Sequence, residues 1–471
     1  AAQTIRYVKE GGTGNGSGSD WNNASGDLQA MINVSDVNDE VWVAAGIYYP
    51  QYDYTGNPAP VDNRAKTFQM KDGVKIYGGF VGNEVELTDR DLNEIHGDNA
   101  TILSGDLDQN DVGNAIIGDN AYNVIYNYFS PPTPANSPVT ALIDAVLDGF
   151  IIEKGNANGE ESGGPPIPLI GSGGGIMNRL ASPILQNLII RNNYGSKGGG
   201  IHNRGASPTL NNVIIVENNA VDGGGIYNQH ISTGGTYYST PVLNDVSIRN
   251  NIATSNGGGI YNIESSPQLE NVTIGSNVAA ANGGGIYNTG SSSPQLNDVI
   301  IEENSSTPTT GDIGGGGMYN TGGATPKLTS VIIRNNRASR GGGVYNIGAT
   351  TAPEFTNTII SGNRADNLGG GIFNRTSAKP VLKNVLVSGN TSAGNGAGGV
   401  HSFDANSTTT FIHVTVAGNW SAVGAAGING DGGTMQNSIV SNNHSGVNVV
   451  VSNVSAPSLT VANSLINGDA F

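Results

Sequence analysis

The chain of 471 residues contains no cysteine, so it forms no disulfide bonds and uses no thiol chemistry. It also lacks long apolar runs, and none reaches the roughly 18 residues that a membrane-spanning helix needs. Positive charge is scarce, because 21 lysines and arginines face 38 aspartates and glutamates and leave a formal charge of −17. This excess of negative charge argues against nucleic acid or an anionic membrane surface as a partner.

Glycine, in contrast, is abundant and regularly placed. A hexapeptide whose most frequent form is Gly-Gly-Gly-Ile-Tyr-Asn returns every 25 to 34 residues. Its eight strong copies end at Asn178, Asn203, Asn228, Asn262, Asn288, Asn320, Asn346 and Asn374, and weaker copies end at Ser402 and Gly430. A period of this length indicates a solenoid, in which each repeat is one coil stacked on the previous one.

Each coil contains three short alternating runs: the hexapeptide, Pro-x-Leu-x-Asn, and Val-x-Ile-x-x-Asn. Alternation over three to five residues is the periodicity of a β-strand. The alternation changes phase between Asn187 and Leu188, which predicts a corner, and the Asn pairs that end the third run favour left-handed turns. We therefore predict an all-β protein, a right-handed parallel β-helix with three short strands per coil. The predicted inner columns are Ile176, Ile201, Ile226, Ile260 and Ile286, and Leu185, Leu210, Leu243, Leu269 and Leu296.

The ends of the chain are less regular than its middle. We expect an N-terminal cap and irregular early coils over 1–145, regular coils over 146–440, and a C-terminal coil or cap over 441–471, all in one continuous solenoid domain. The segment 27–32 is the best helix candidate and is expected to cover the open end of the solenoid. The run 39–48 is expected to be the first buried strand, and the apolar run 449–451 is a candidate pairing strand.

The hexapeptide together with Val-x-Ile-x-x-Asn resembles the repeats of the pectin-lyase-like right-handed parallel β-helix proteins. The likeness is greatest to large secreted bacterial surface proteins, and more distant to the chlamydial polymorphic membrane proteins with their Gly-Gly-Ala-Ile repeats. The segments 41–48, 76–80 and 103–108 also resemble these surface proteins. The resemblance implies an extracellular or cell-surface location. It does not single out an activity, because this fold carries adhesins, lyases, hydrolases and tailspikes.

The residue before the hexapeptide asparagine is aromatic in most copies, and strand alternation predicts that it points outward while the asparagine points inward. We call these positions the aromatic row: Met177, His202, Tyr227, Tyr261, Tyr287, Tyr319, Tyr345, Phe373 and His401. On one interpretation the rings only stack and stabilise the sheet. On the other they form a flat, exposed platform for a glycan or for another copy of the chain. The candidate binding residues are Tyr227, Tyr261, Tyr287, Tyr319, Tyr345 and Phe373.

Carboxylates cluster in one early loop, where Asp106 and Asp108 occupy alternate positions of the run 105–111. Paired carboxylates are what a glycosidase needs, and oxygen ligands at alternate positions also suit calcium. The loop is not an EF-hand, because Asp111 replaces the glycine which that motif requires. The alternatives are a calcium site at Asp106 and Asp108, or a solvated acidic turn. We expect no other cofactor.

Basic residues cluster once, since Arg364 follows Arg337 by about one coil and Arg340 lies close to it, with Asp366 nearby. A polysaccharide lyase would need such a cationic group. The uniform coils favour instead a secreted or cell-surface protein without catalytic activity, acting in adhesion, a surface coat or an extracellular filament. Its expected partner is a glycan or other copies of itself. The alternative is an enzyme that degrades or binds polysaccharide, a lyase or a glycoside hydrolase of this fold.

Overall fold

The computed structural model describes residues 3–92, 97, 100–159, 170–307, 314–430, 432–446, 450–451 and 453–467. The chain divides into two compact units, residues 1–247 and residues 248–471. In each unit the chain winds through three sheets, and almost all of the strand pairings are parallel. The right-handed parallel β-helix predicted from the repeat is confirmed. No helix in the described part of the chain is long and apolar enough to cross a bilayer.

The first sheet is built from the hexapeptides, which pair in register, so that Ile260 lies opposite Ile286 and Asn262 opposite Asn288. In the first unit its strands are Ile125–Tyr128, Ile176–Arg179, Ile201–Arg204 and Ile226–Gln229. In the second unit they are Ile260–Ile263, Ile286–Thr289, Met318–Asn320, Val344–Ile347, Ile372–Arg375, Val400–Ser402, Ile428–Gly430 and Val454–Ser455.

The three glycines of the hexapeptide form the tight turn that enters this sheet. Gly283 has a φ of +67°, a left-handed conformation that strains other residues. At Gly284 an added Cβ would lie 2.5 Å from the carbonyl oxygen of Ser305 and 2.6 Å from that of Gly316. Only glycine lets the backbones of neighbouring coils come this close, which explains why the triplet recurs.

The second sheet contains the Leu and Ile runs, and the chain bends between them at a residue with left-handed conformation, such as Asn187 with a φ of 50° or Asp298 with a φ of 52°. The predicted corner is confirmed. In the first unit its strands are Ile5–Val8, Glu40–Ala44, Gly46–Tyr48, Lys75–Phe80, Thr101–Ser104, Val146–Asp148, Ile151–Glu153, Ile184–Arg191, Thr209–Val216 and Val242–Asn244. The strand Ser247–Arg249 contains the boundary between the units. In the second unit they are Gln268–Glu270, Thr273–Gly275, Gln295–Asn297, Ile300–Glu302, Lys327–Thr329, Ile332–Arg334, Glu354–Thr356, Ile359–Ser361, Val381–Lys383, Leu386–Ser388, Thr409–Ile412, Thr415–Ala417, Gly433–Gln436, Ile439–Ser441, Leu459–Ala462 and Leu465–Ile466.

The third sheet consists mostly of short strands that follow the final Asn of Val-x-Ile-x-x-Asn, and it adds a fourth strand to the three predicted for each coil. These strands have too few alternating residues to be recognised in the sequence. In the first unit they are Asn156–Ala157, Tyr194–Lys197 and Asn219–Asp222. In the second unit they are Ile252–Ala253, Val278–Ala279, Ser305–Ser306, Arg337–Arg340, Arg364–Leu368, Thr391–Ser392, Trp420–Ser421, His444–Ser445 and Val450–Val451. The last of them pairs antiparallel with His444–Ser445, and Val449 lies outside the described residues.

The interior of each unit is organised in columns of like residues. The residues of the predicted Ile and Leu columns are 0–2 % exposed, and within each unit neighbouring members of a column are paired in register. The hexapeptide asparagines are equally buried, and the amide of Asn262 donates to the side-chain oxygen of Asn288 at 2.9 Å. The same bond recurs from Asn288 to Asn320 and from Asn320 to Asn346. The inward direction predicted for these asparagines is confirmed, and the asparagine ladder that they form satisfies polar groups that have no access to water.

A second ladder was not predicted from the sequence. It is formed by the final Asn of Val-x-Ile-x-x-Asn. The side-chain oxygen of Asn304 accepts from both the backbone and the side-chain amide of Asn277, each at 3.0 Å. The amide of Asn304 donates in turn to the backbone oxygen of Ile274 at 2.8 Å. These buried asparagines therefore tie neighbouring coils together through side chain and backbone at once.

The predicted helix is present as Leu28–Val34, with the Asp27 carboxylate accepting a hydrogen bond from the backbone of Ala30 at 2.9 Å as its N-cap. It packs against the strands Ile5–Val8 and Glu40–Ala44. Short 3₁₀ turns lie at Trp21–Asn23, Asn63–Ala65 and Leu87–Asp89.

Candidate functional site

The aromatic row of the second unit is a continuous line of touching rings on the outer side of the hexapeptide sheet. The ring centroids of Tyr261 and Tyr287 are 4.7 Å apart and those of Tyr287 and Tyr319 are 5.2 Å apart, both pairs stacked. Further along, the rings of Tyr319, Tyr345 and Phe373 meet edge to face at 4.9 and 4.8 Å. Each contact of this kind stabilises the sheet by about 0.5–1.5 kcal/mol beyond its buried area.

Most of the row is not exposed, and the expectation of an exposed platform at Tyr227, Tyr319, Tyr345 and Phe373 is wrong. Their relative exposures are 4 %, 9 %, 1 % and 0 %. Only Tyr261 and Tyr287 are half-buried. The candidate platform is therefore restricted to these two stacked rings.

The residue that precedes the glycine triplet accounts for the cover of Tyr345 and Phe373. At two coils this residue is Arg340 or Leu368, and Leu368 packs against the rings of the row while the guanidinium of Arg340 lies 5.7 Å from the centre of the Phe373 ring. At the coils of Tyr261 and Tyr287 it is Asn256 or Asn282, whose side chains bond to each other at 3.0 Å. Alternation predicted the direction of the rings, but their cover depends on these preceding residues.

Burial also changes the titration of groups in the covered part of the row. Desolvation raises the pKa of Tyr319 well above its ordinary value, and the neighbouring phenols of Tyr345 and Tyr287 add to this. His401 stacks on Phe373 at 5.5 Å, and burial, followed by the charge of Arg340, lowers its pKa to about 4. Tyr319 and His401 are therefore neutral at pH 7, so the rings in the covered part of the row carry no charge.

Next to the row on the same outer surface lie the residues that follow the hexapeptide asparagines. Ile263 and Thr289 are half-buried beside Tyr261 and Tyr287. At the other end Phe403 is 51 % exposed, with the guanidinium of Arg375 at 5.3 Å from its ring centre. The surface around the two tyrosines thus presents aromatic and aliphatic side chains, with the exposed Glu264 next to Ile263.

The acidic loop at Asp106 and Asp108 is closed by donors from the protein itself. The carboxylate of Asp106 accepts from the backbone of Asn110 and Asp111, each at 3.1 Å, and Asp108 accepts from Asp119 at 3.0 Å. Lys154 reaches into the same loop and lies 3.8 Å from Asp111. Among the described residues no group of three or more carboxylate or imidazole side chains is arranged to hold a metal ion. Calcium at Asp106 and Asp108 stays a prediction.

The arginine cluster divides between two surroundings. Arg337 and Arg364 lie in register on neighbouring strands, as their spacing suggested, and both bind Asp366, at 2.9 and 3.1 Å. Arg340 instead turns toward Phe373. One carboxylate therefore serves both exposed guanidinium groups, and the three arginines do not converge on a common point.

Comparison with known proteins adds one motif and two likenesses of fold. A model of the Chlamydia polymorphic membrane protein repeat matches residues 245–263. The match spans one short segment, and it agrees with the resemblance to the chlamydial proteins noted from the hexapeptides. No curated protein sequence matches the chain.

Two solved structures resemble it in fold. The A-module of the mannuronan C-5 epimerase AlgE6 of Azotobacter vinelandii is 12% identical, with a TM-score of 0.40 over 94% of this chain and 95% of that one. PfbA, a surface adhesin of Streptococcus pneumoniae, is 11% identical, with a TM-score of 0.39 over 98% of this chain and 91% of that one. At this identity and score neither likeness bears on activity.

Proposed function

We propose that the protein acts outside the cell, secreted or at the cell surface, as a non-catalytic binding element in adhesion, and that Tyr261 and Tyr287 contact a glycan chain. The observation that carries the proposal is the pair of stacked, half-buried tyrosine rings, which remain accessible while the rest of the row is covered. Tyrosine suits such a role because its ring is apolar and its hydroxyl forms hydrogen bonds.

The arrangement favours a long, repetitive partner. The two rings come from successive coils, about 4.8 Å apart along the stack, and Ile263 and Thr289 repeat beside them at the same interval. A polymer lying along the stack would meet the same chemistry at each coil. The absence of charged groups on these positions suits a partner that is bound by ring faces and hydroxyl groups.

The extracellular location is supported by the similarity of residues 245–263 to the polymorphic membrane protein repeat. Regular coils support a binding or assembly role rather than catalysis. Another copy of the chain is the second partner that the tyrosines would suit, and the experiment distinguishes it from a glycan.

The test replaces Tyr261 and Tyr287 together by Ser and measures binding to an array of neutral and acidic glycans, with sedimentation of the free protein in parallel. The matched control is Tyr238→Ser, since Tyr238 is 60 % exposed and lies in the other unit. We expect the double variant to lose at least about tenfold in glycan affinity, equal to about 1.4 kcal/mol. Unchanged glycan binding would refute the proposal, and loss of self-association alone would assign the tyrosines to assembly.

A further inference from the structure

A cleft of about 490 Å³ opens in the first unit, away from the aromatic row. Its lining includes Glu10, Leu28, Tyr49, Gln51, Phe68 and Gln109. The volume lies within the range of about 300–1,000 Å³ that is usual for small-molecule sites. Five separate segments of the chain supply these residues, so the cleft is a product of the fold and not of one loop.

The floor of the cleft is apolar. Leu28 of the N-terminal helix is 3 % exposed and Phe68 is 4 % exposed, so the core itself forms this surface. The ring of Tyr49 is half-buried and stands at the side. Three of the residues that line the cleft are aromatic, namely Tyr48, Tyr49 and Phe68. Tyr49 and Phe68 provide surfaces against which a flat, weakly polar ring can pack.

The rim is polar and exposed, and it is formed by Glu10, Gln51 and Gln109. A carboxylate only accepts hydrogen bonds, whereas a carboxamide both donates and accepts. One oxygen of Glu10 accepts a long bond of 3.3 Å from the backbone of Ile47, which positions the carboxylate at the rim. This set of groups matches a ligand with several hydroxyl groups, each able to donate and accept.

The charge around the cleft selects against an anion. The pKa of Tyr49 is raised by its burial, and further by the carboxylates of Asp106, Glu10 and Glu153. The phenol therefore stays protonated at neutral pH and can donate a hydrogen bond. Glu153 is paired with Arg191 at 2.7 Å, and Asp106 is held by backbone donors, so Glu10 is the carboxylate that faces a ligand.

We propose that this cleft binds a neutral saccharide of one or two rings, with one ring face on Tyr49 and its hydroxyl groups on Glu10, Gln51 and Gln109. Uronic acids are rejected by the surrounding carboxylates. The site is independent of Tyr261 and Tyr287, so a failure of one proposal leaves the other standing. It gives the protein a second, local contact with carbohydrate, distinct in chemistry from a platform for a long chain.

The experiment titrates the full chain with glucose, galactose, mannose, N-acetylglucosamine and their disaccharides, and follows binding by calorimetry and by saturation-transfer NMR. Galacturonate and tetramethylammonium serve as the anionic and cationic probes. We expect at least one neutral sugar to bind with a Kd of about 1 mM or tighter. Binding of none of them, or of tetramethylammonium alone, would overturn the proposal.

Three variants locate the site. Tyr49→Ala should weaken the sugar at least about tenfold, and Glu10→Gln about fivefold, because a charge-assisted hydrogen bond is replaced by a neutral one. Gln51→Ala tests the rim without touching the core, since Gln51 is exposed. Tyr238→Ala is the control and should bind as the parent does. Sugar binding that survives in both Tyr49→Ala and Glu10→Gln would place the ligand elsewhere and refute the assignment.

Discussion

The side-chain amide of Asn288 donates a 2.9 Å hydrogen bond to the side-chain oxygen of Asn320, one coil further along, in a site closed to water. Asn262 donates in the same way to Asn288. Each buried asparagine is therefore both donor and acceptor, and its partners depend on it. A buried column of polar side chains is stable when each member has its hydrogen-bond partners, as it does here.

Replacing Asn288 by Leu removes one acceptor from Asn262 and one donor from Asn320. We expect the free energy of unfolding to fall by about 1–3 kcal/mol, the cost of leaving buried polar groups without a partner. Urea denaturation of parent and variant measures it. The control is Asn297→Leu, because Asn297 is exposed on a neighbouring strand. Equal stability of Asn288→Leu and the parent would show that the ladder does not stabilise the fold.

The close approach of coils at the glycine triplets gives a second prediction. Gly284→Ala places a methyl group 2.5 Å from the oxygen of Ser305, and we expect it to destabilise by about 1–3 kcal/mol. Gly275→Ala is the matched control in the same unit, because its Cβ would meet nothing closer than 3.6 Å. That variant should be neutral or gain about 0.4–1 kcal/mol through a less flexible unfolded chain. Similar melting of the two variants would contradict this account of the triplet.

His401 makes part of the stability depend on pH. Its pKa is about 4 in the folded protein, below the value of about 6.5 in an unfolded chain. The unfolded state therefore binds the proton first, so stability is full above pH 6.5 and is lost as the pH falls toward 4. We expect the loss from this group to be on the order of 2–3 kcal/mol.

His401→Phe keeps a ring on Phe373 and removes the titration. Denaturation curves of both proteins between pH 7 and pH 4 should diverge, with the parent losing more stability than the variant. The carboxylates titrate in both and cancel in the difference. Parallel curves would mean that the imidazole is not held neutral by burial.

The calcium interpretation of Asp106 and Asp108 has a direct thermal test. If calcium binds there, the Tm in millimolar calcium should be higher than the Tm in the presence of a chelator, because a ligand that binds only the folded state stabilises it. The rise should vanish in Asp106→Asn and persist in the control Asp298→Asn, an exposed residue of the other unit. Identical melting of the parent with calcium and with chelator would leave the loop as an acidic turn closed by backbone donors and Lys154.

The repeat by itself determined the architecture and its interior. Stacked coils place like residues on one another, so a period of about 25 residues and the alternation within it were enough to predict the Ile and Leu columns, the inward direction of the hexapeptide asparagines and the corner at Asn187. The helix 28–34 could also be predicted from the local sequence, because Asp27 is an N-cap at the start of an apolar segment.

Only the tertiary structure decided which parts of the surface are accessible. Alternation gives the direction of a side chain but not what lies over it, and whether a tyrosine of the row is covered depends on Arg340, Leu368, Asn256 or Asn282 from the turns beside it. The cleft at Tyr49 is formed by segments that are distant in sequence, from Glu10 to Gln109, and no local pattern brings them together. The repeat can be seen in the sequence, whereas the burial of a side chain by its neighbours and the formation of a cleft depend on how the folded chain packs.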